Sequence, residues 1–313
     1  MKRPLTVLCW NFERNGGSDP DKRLKAHELL VSLNPHMVLR QEMPGADTKG
    51  NEIMYELEDV LRLRGWLGPR SCTAVFADPA VFQPVREWPD TGPMWVLPPT
   101  ALTFRFLPAG YEALPLNALS YHLNYASPTL RRIEAEWLTT WADKWWALPD
   151  GRMVQLPVIA GGDNNSYPAA RLEEDLTLPV PKEIKDKPHR AHRSYVAQYG
   201  TRLMHTRPDE VLRTAGMEDV ARHWATTRLG DASALARTVD GCDTHGPDAR
   251  IDRIYTAETL LPAVRGVDVI EVPHDKSDHH IVRLTLDPDT LSDILNSQIR
   301  TTMPHTAQDT TAA

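Results

Sequence analysis

The sequence predicts a layered α/β protein built from many short strands. Two observations carry this. Short apolar runs recur along the chain, and several are apolar at every position, as strands buried on both faces are. Between them lie segments whose apolar residues repeat at three- and four-residue spacing, the mark of helices docked along one side. At 313 residues the chain is long enough for about two domains or for one large two-layer domain. We find no internal repeat and no clear linker between halves. We therefore read residues 1–296 as a single domain and 297–313, a polar stretch of Thr, Gln, Asp and Ala, as a disordered tail.

The elements follow in order. Leu5–Trp10 reads as a strand, then Asp21–Leu33 as a helix with Leu24, Leu29, Leu30 and Val31 on one broad side. Met37–Leu39 is a strand, and Asn51–Arg64 is a helix carrying Ile53, Leu57, Val60 and Leu61. Ala74–Ala77, Leu102–Phe106 and Leu116–Leu119 are strands. Thr129–Leu148 reads as one helix with Ile133, Trp137, Trp141 and Trp145 at four-residue steps. We take that stripe as a face docked on a sheet rather than a platform for stacked bases. Val158–Ala160 is a strand, Pro208–Ala215 a short helix, and Ile254–Tyr255, Val267–Val272 and Ile281–Leu286 complete the strands. The 26 prolines make rigid turns numerous, and the stretches Pro84–Pro108 and Pro179–Pro188 read as surface excursions.

A hydrophobic content of 41% with 25% charged residues excludes disorder of the whole chain. The formal net charge of −7 argues against nucleic-acid binding by bulk positive charge, though not against a local basic groove. No apolar run reaches the ~20 residues of a membrane-spanning helix, and the N-terminus lacks a secretory pattern. Cys9, Cys72 and Cys242 are odd in number and far apart. They suit a reducing compartment better than a disulfide framework, so a cytoplasmic location is expected. No protein partner and no oligomeric state are legible.

Several apolar runs end in side chains able to bind metal or move protons. The first ends at Asn11, and the second leads through Arg40 and Gln41 to Glu42. Another ends at His122, one passes two glycines to Asp163 and Asn165, and one turns at Pro273 toward Asp278 and His279. Strand ends gather on one rim of a sheet, where sites are commonly built. Hard oxygens with imidazole form a ligand set for Mg²⁺ working beside a general acid and base, rather than for a thiolate-preferring metal.

Six segments hold these residues: LTVLCWNFE (5–13), PHMVLRQE (35–42), LSYHLNYASPTLRRIEAEWL (119–138), PVIAGGDNN (157–165), ARIDRIY (249–255) and KSDHHIVRLTL (276–286). In this order they resemble the endonuclease/exonuclease/phosphatase superfamily, the deoxyribonuclease I-like metal-dependent phosphoesterases. The family pattern is a first strand ending in Asn, a strand ending in Gln-Glu, a His-Leu pair, Gly-Asp-x-Asn, an Arg-Ile-Asp strand and Ser-Asp-His. Each motif is weak alone, but six in order across residues 5–286 are specific. The resemblance implies two mixed β-sheets packed face to face as a sandwich, flanked by helices. It also implies Mg²⁺-dependent phosphodiester hydrolysis, with Mn²⁺ as a substitute.

Residue by residue, the resemblance implies Glu42 as the main metal carboxylate, Asn11 beside it and Asp278 as an additional metal-side ligand. Asp163 and Asn165 would contact the scissile phosphate, the water or the leaving group. His279 would be the general base, held by Asp252, since a carboxylate behind an imidazole fixes its tautomer. His122 would face the phosphate or protonate the leaving oxygen. Arg250 is a substrate-binding candidate, with a structural ion pair as its alternative. Asn164 fills the position where the family commonly has Phe. His280 is expected to point away from the site, because strand neighbours alternate faces. Tyr121 is expected to be packed, and His245 and His274 are lesser candidates at the site.

The same core serves DNA, RNA, lipid-headgroup and inositol phosphoesters, so substrate choice lies in loops. The longest excursion, between Asn165 and Asp252, holds PKEIKDKPHRAHR (181–193) with Arg202, Arg207 and Arg213. It is locally basic in an acidic chain, as either a phosphate-backbone contact or a solvated face would be. A nucleic acid is the favoured substrate. The alternatives are a small-molecule or lipid-headgroup phosphoester, and a noncatalytic module that holds a phosphorylated ligand.

Overall fold

The computed structural model describes residues 3–89, 91–169, 172–227 and 231–300. In chain order its strands are β1 (Leu5–Asn11), β2 (Met37–Gln41), β3 (Arg64–Leu67), β4 (Thr73–Ala77), β5 (Phe82–Glu87), β6 (Thr100–Phe106), β7 (Leu116–His122), β8 (Trp145–Ala147), β9 (Met153–Gln155), β10 (Val158–Asp163), β11 (Ser194–Val196), β12 (Arg202–Met204), β13 (Met217–Asp219), β14 (Asp252–Ala257), β15 (Val264–Ile270) and β16 (Ile281–Leu286). The helices are α1 (Pro20–Ser32), α2 (Glu52–Leu61), α3 (Pro128–Leu138), α4 (Lys187–His192), α5 (Arg207–Thr214), α6 (Val220–Thr227) and α7 (Pro288–Arg300).

Twelve strands form two six-stranded sheets, in the orders β15-β16-β1-β2-β4-β3 and β13-β14-β10-β7-β6-β5. Each is mixed. β1 runs parallel to β2 and antiparallel to β16, while β10 runs parallel to β7 and antiparallel to β14. Val7, Cys9, Leu39 and Val75 of the first sheet share a core with Leu102, Phe104, Ala118, Ile159 and Ile254 of the second. The sandwich expected from the resemblance is therefore the architecture. Alternate residues of the first sheet, Leu8, Trp10, Val38 and Phe76, pack outward on Ala26, Leu30 and Leu57 of α1 and α2. Both faces of these strands are thus buried, which is why they read as continuous apolar runs. Local signals start the helices. The Asp19 side chain accepts from Lys22 N ahead of Pro20, and Ser127 accepts from Leu130 N ahead of Pro128.

The topology brings six strand ends to one rim. β1, β2, β7 and β10 finish there, and the antiparallel β14 and β16 begin there. Register sets Asp163 opposite both His122 and Asp252 and Asn11 opposite Gln41. The Gly161-Gly162 pair lets β10 fit its place. A Cβ on Gly161 would meet Leu39 and Cys9 across the sandwich, and one on Gly162 would overlap the Tyr121 carbonyl oxygen of β7.

Three expectations change. The Thr129–Leu148 helix ends at Leu138. A short 3-10 turn takes Thr139–Trp141, and Trp145 lies in the β8–β9 hairpin. The docked face of α3 is Arg131, Glu134, Ala135 and Leu138, while Trp137 and Trp145 are exposed. Pro84 sits in β5, an edge strand whose register shifts between Pro84 and Arg86. Edge strands accept proline because they spare its missing donor. Residues 297–300 complete α7, whereas 301–313 of the expected tail lie outside the described residues.

Gly162→Ala should lower stability by about 2–3 kcal/mol through overpacking against β7. Urea unfolding monitored by tryptophan fluorescence would measure this; wild-type stability would show that β10 has room to move.

Candidate active site

Asn11, Glu42, His122, Asp163, Asn165, Asp278 and His279 line one cavity of about 520 Å³, a size that suits a small ligand or part of a larger one. Asp252 lies directly behind His279. The two sheets contribute half the set each. Asn11, Glu42, Asp278 and His279 come from the first, and His122, Asp163, Asn165 and Asp252 from the second.

Backbone turns aim several of them. Glu42 follows β2 in the left-handed region, at φ 55°, and Asn165 follows β10 at φ 47°. Non-glycine residues pay for that conformation, and they persist where the surroundings hold them. The Glu42 carboxylate accepts from Arg14 N at 2.7 Å and from Asn11 Nδ2 at 3.3 Å. Asn11 Nδ2 also donates to Asp163 Oδ2 at 3.2 Å, so one amide joins a carboxylate from each sheet. Asp163 Oδ1 accepts from Asn165 N at 2.6 Å, and Asn165 Nδ2 donates to Leu123 O at 3.0 Å. His122 Nε2 lies 3.5 Å from Asp163 Oδ2.

His279 Nδ1 lies 2.8 Å from Asp252 Oδ2. Its backbone is fixed on both sides: Ser277 Oγ accepts from His279 N, and Trp10 Nε1 donates to His279 O. Pairing at Nδ1 leaves Nε2 for a water or a phosphate oxygen. Burial alone would lower the His279 pKa, but Asp252, then Asp163 and Asp278, raise it to about 10. Burial holds the Asp252 carboxyl above its ordinary value, with the neighbouring imidazole opposing that rise. Burial would also raise Asp163, yet His122, His279 and Arg193 hold it below its ordinary value.

The donor set fits a divalent cation. Asp163, Asp252 and His279 present ligand atoms within 4.8 Å of one another. Asn11 Oδ1 and Asp278 Oδ1 are buried oxygens without a hydrogen-bond donor. A half-turn of the Asn11 amide would offer its oxygen beside Glu42 and Asp163. Asp252 is occupied by His279, so the Asn11–Glu42–Asp163 group is the better place for an ion.

Buried polar groups support this rim. Gln41 points between the sheets and donates to Ser120 Oγ at 2.9 Å and Gly161 O at 3.4 Å, while Ser120 Oγ donates to Arg40 O at 2.6 Å. Arg40 is fully buried on the opposite face of β2. It donates to Trp10 O, Gln41 O, Asn15 Oδ1 and His27 Nε2 and lies 5.4 Å from the centres of the Trp10 and Phe12 rings. Burial lowers its pKa to about 9.

Arg250 requires a correction. It is buried and donates to Asp175 and Asp219, at 2.7 Å to the latter, so the structural ion pair replaces the substrate contact. His280 turns to Val272 N and Asp240 and does not line the cavity. Asn164 is buried on Tyr121 OH and Ile251 O. His245 and His274 do line the cavity, with His189, Arg193, Tyr125 and Tyr167. The last four were not singled out from sequence. Only the basic composition of 181–193 hinted at His189 and Arg193.

No protein-family model matches the chain, and no curated protein matches it in sequence. Solved structures do match in fold. An endonuclease/exonuclease/phosphatase from Bacteroides vulgatus superposes with TM-score 0.59 at 16% identity, covering 91% of this chain and 99% of that one. TDP2 of D. rerio complexed with a single-strand DNA product gives TM-score 0.56 at 14% identity, covering 91% and 100%. The 3′ phosphatase NExo from Neisseria, bound to a product DNA hairpin, gives 0.57 at 13%, covering 90% and 99%. These likenesses establish the fold, the two-sheet sandwich that those structures share. No helix among the described residues is long and apolar enough to cross a membrane.

The histidine beneath Arg40 yields a pH prediction. His27 Nδ1 bonds Arg23 O at 2.8 Å, and burial, reinforced by Arg40, lowers its pKa to about 3. Unfolded histidine titrates near 6.5, roughly, so the unfolded chain binds the extra proton between those values. Stability should therefore fall as pH drops from about 6.5 toward 3, with His27 contributing a slope of up to ~1.4 kcal/mol per pH unit. His27→Gln should flatten the fall of the urea midpoint across pH 4.5–6.5. An unchanged slope would place the acid sensitivity elsewhere.

Proposed function

We propose that this chain is a metal-dependent phosphodiester hydrolase acting on nucleic acid. One observation carries the reading: the paired His279 and Asp252 meet Asn11, Glu42, Asp163 and Asn165 on a single rim assembled from both sheets. Hydrolysis needs a base for water, a means to neutralise the phosphate and a donor for the leaving oxygen, and the rim offers a group for each.

In its neutral form, protonated at Nδ1 toward Asp252 and bare at Nε2, His279 takes the proton of the attacking water, and Asp252 keeps the ring aimed and stabilises the imidazolium formed. Asp163 orients that water, with Asn165 N fixing its carboxylate. His122 and Asn165 face the phosphate, and His122 protonates the leaving oxygen. Glu42, Asn11 and Asp163 would hold the cation, with Asp278 at its side. When bound, Mg²⁺ or Mn²⁺ would neutralise charge on the phosphate and on the carboxylates that hold the proton on His279. No covalent intermediate with the protein is required.

The DNA-bound neighbours support a nucleic-acid substrate. The walled cavity favours a strand end over a duplex lying across an open surface, and it also suits a smaller phosphoester, the second reading. A cytoplasmic setting accords with the sparse, unpaired cysteines, all three of which are free thiols.

His279→Ala should cost at least ~10²-fold in kcat against plasmid, single-stranded RNA or bis-p-nitrophenyl phosphate, with the fold intact. Activity equal to wild type would remove His279 as the base. Glu42→Gln should move the Mg²⁺ dependence to higher concentration. A metal titration that superposes on wild type would exclude Glu42 as a ligand.

A further inference from the structure

One wall of the cavity has no role in that chemistry. It comes from the excursion, through His189 and Arg193, and from the loop that carries His245. We infer that Arg193, with His189 and His245, forms a second phosphate subsite, and that the substrate is a nucleotide-chain end carrying a phosphate next to the scissile diester. The inference rests on the reading of the rim as a phosphodiester centre and adds what lies across from it.

The first argument is the state of Arg193. Arg40, Arg131 and Arg250 are all buried, and the guanidinium of each is bonded to several oxygens or ring nitrogens. The Arg193 side chain is only half-buried, faces the cavity, and among the described residues makes no hydrogen bond or ion pair. A guanidinium offers five donors in a planar fork matched to phosphate, and this one presents them to the cavity.

The neighbouring rings point the same way. His189 and His245 lie 4.5 Å apart between ring centres, and His189 Nδ1 is fixed on Asp186 Oδ1 at 2.8 Å, which leaves its second nitrogen free to meet a ligand. Burial, then Arg193 and His189, holds the His245 pKa below its ordinary value. Three cationic or potentially cationic groups are thus crowded, with Asp186 behind His189 and Asp278 acting on His245 as their carboxylate neighbours. An arriving phosphate dianion would relieve that crowding.

The wall is also held in place. Arg193 N donates to His189 O, and His205 N donates to Arg193 O at 3.0 Å. Arg131 donates to His192 O at 3.0 Å and to Tyr125 O at 2.7 Å, tying α4 to the loop after His122. Arg193 is close enough to influence Asp163, so the wall faces the reacting phosphate. The cavity is acidic on one side and basic on the other, as a ligand with one metal-bound phosphate and one free phosphate requires.

The test is equilibrium binding of thymidine 3′,5′-bisphosphate and thymidine 5′-monophosphate, in Mg²⁺, to wild type, Arg193→Ala and Arg193→Lys. Wild type should prefer the bisphosphate by about 10-fold or more, the scale of a charge-assisted hydrogen-bonded pair. Arg193→Ala should reduce the preference to within about 3-fold, and Arg193→Lys should retain part of it. Arg193→Gln, which keeps the first three side-chain carbons and a polar end without the charge, replaces the alanine variant if its melting temperature shows a folding defect. Equal affinity of wild type for both nucleotides, including none for either, overturns the subsite, as does a preference unchanged without Arg193. The metal centre is read separately, by whether Mg²⁺ tightens the monophosphate. That can fail while the bisphosphate preference stands.

Discussion

Everything at the rim depends on how the two sheets are held in register with each other. Half of the polar groups stand on each sheet, so a small slide between sheets would separate Asn11 from Asp163 and His279 from Asp252. The apolar core between the sheets is strong but non-directional, and side chains such as Val7, Leu39 and Phe104 could tolerate such a slide. The hydrogen bonds from Gln41 to Ser120 and Gly161, and from Ser120 to the Arg40 carbonyl, cannot. Each is buried, so breaking one strands a polar group away from water at a cost of about 1–3 kcal/mol. These bonds sit directly beneath the cavity and convert sheet packing into a fixed geometry.

Buried arginines perform a related task around the rim. Among the described residues Arg40 makes no direct carboxylate pair. Its hydrogen bonds to main-chain carbonyls, Asn15 and His27, with the Trp10 and Phe12 rings beside it, replace water around the charge. Arg131 gathers the carbonyls of Asn124, Tyr125 and His192. Burial lowers it to about 9. Arg250 binds two aspartates. The planar fork suits loop carbonyls that no regular ladder satisfies, and this explains why cationic residues lie under a site whose visible face is acidic.

Much of this was legible in sequence because the central strands are buried on both faces and end in polar punctuation. Asn11, Glu42, His122 and Asp163 stood out for that reason. The Trp stripe misled because the inner face of α3 carries Arg131 and Glu134. Glu134 is buried to serve the backbone N–H groups of Val96 and Asn124, and burial raises its pKa to about 7. Edge strands such as β3 and β5 were missed because Gly65, Pro84 and exposed charges interrupt alternation. Arg250 could not be decided from composition, since its partners Asp175 and Asp219 are remote in sequence. The approach of Arg193 to Asp163, thirty residues earlier, is likewise invisible to periodicity.

The excursion is fastened to the second sheet by its own ionic cluster. Arg250 binds Asp175 and Asp219, Arg222 lies 3.5 Å from Asp209, and Tyr255 OH donates to Asp209 at 2.6 Å. None of these bonds touches the Gln41 bridge. The excursion, which is proposed to read the substrate, and the sheet register beneath the rim are therefore held by different bonds. A lineage could exchange the first, residue by residue or as a block, while inheriting the second intact. On such a scaffold specificity would drift far faster than chemistry.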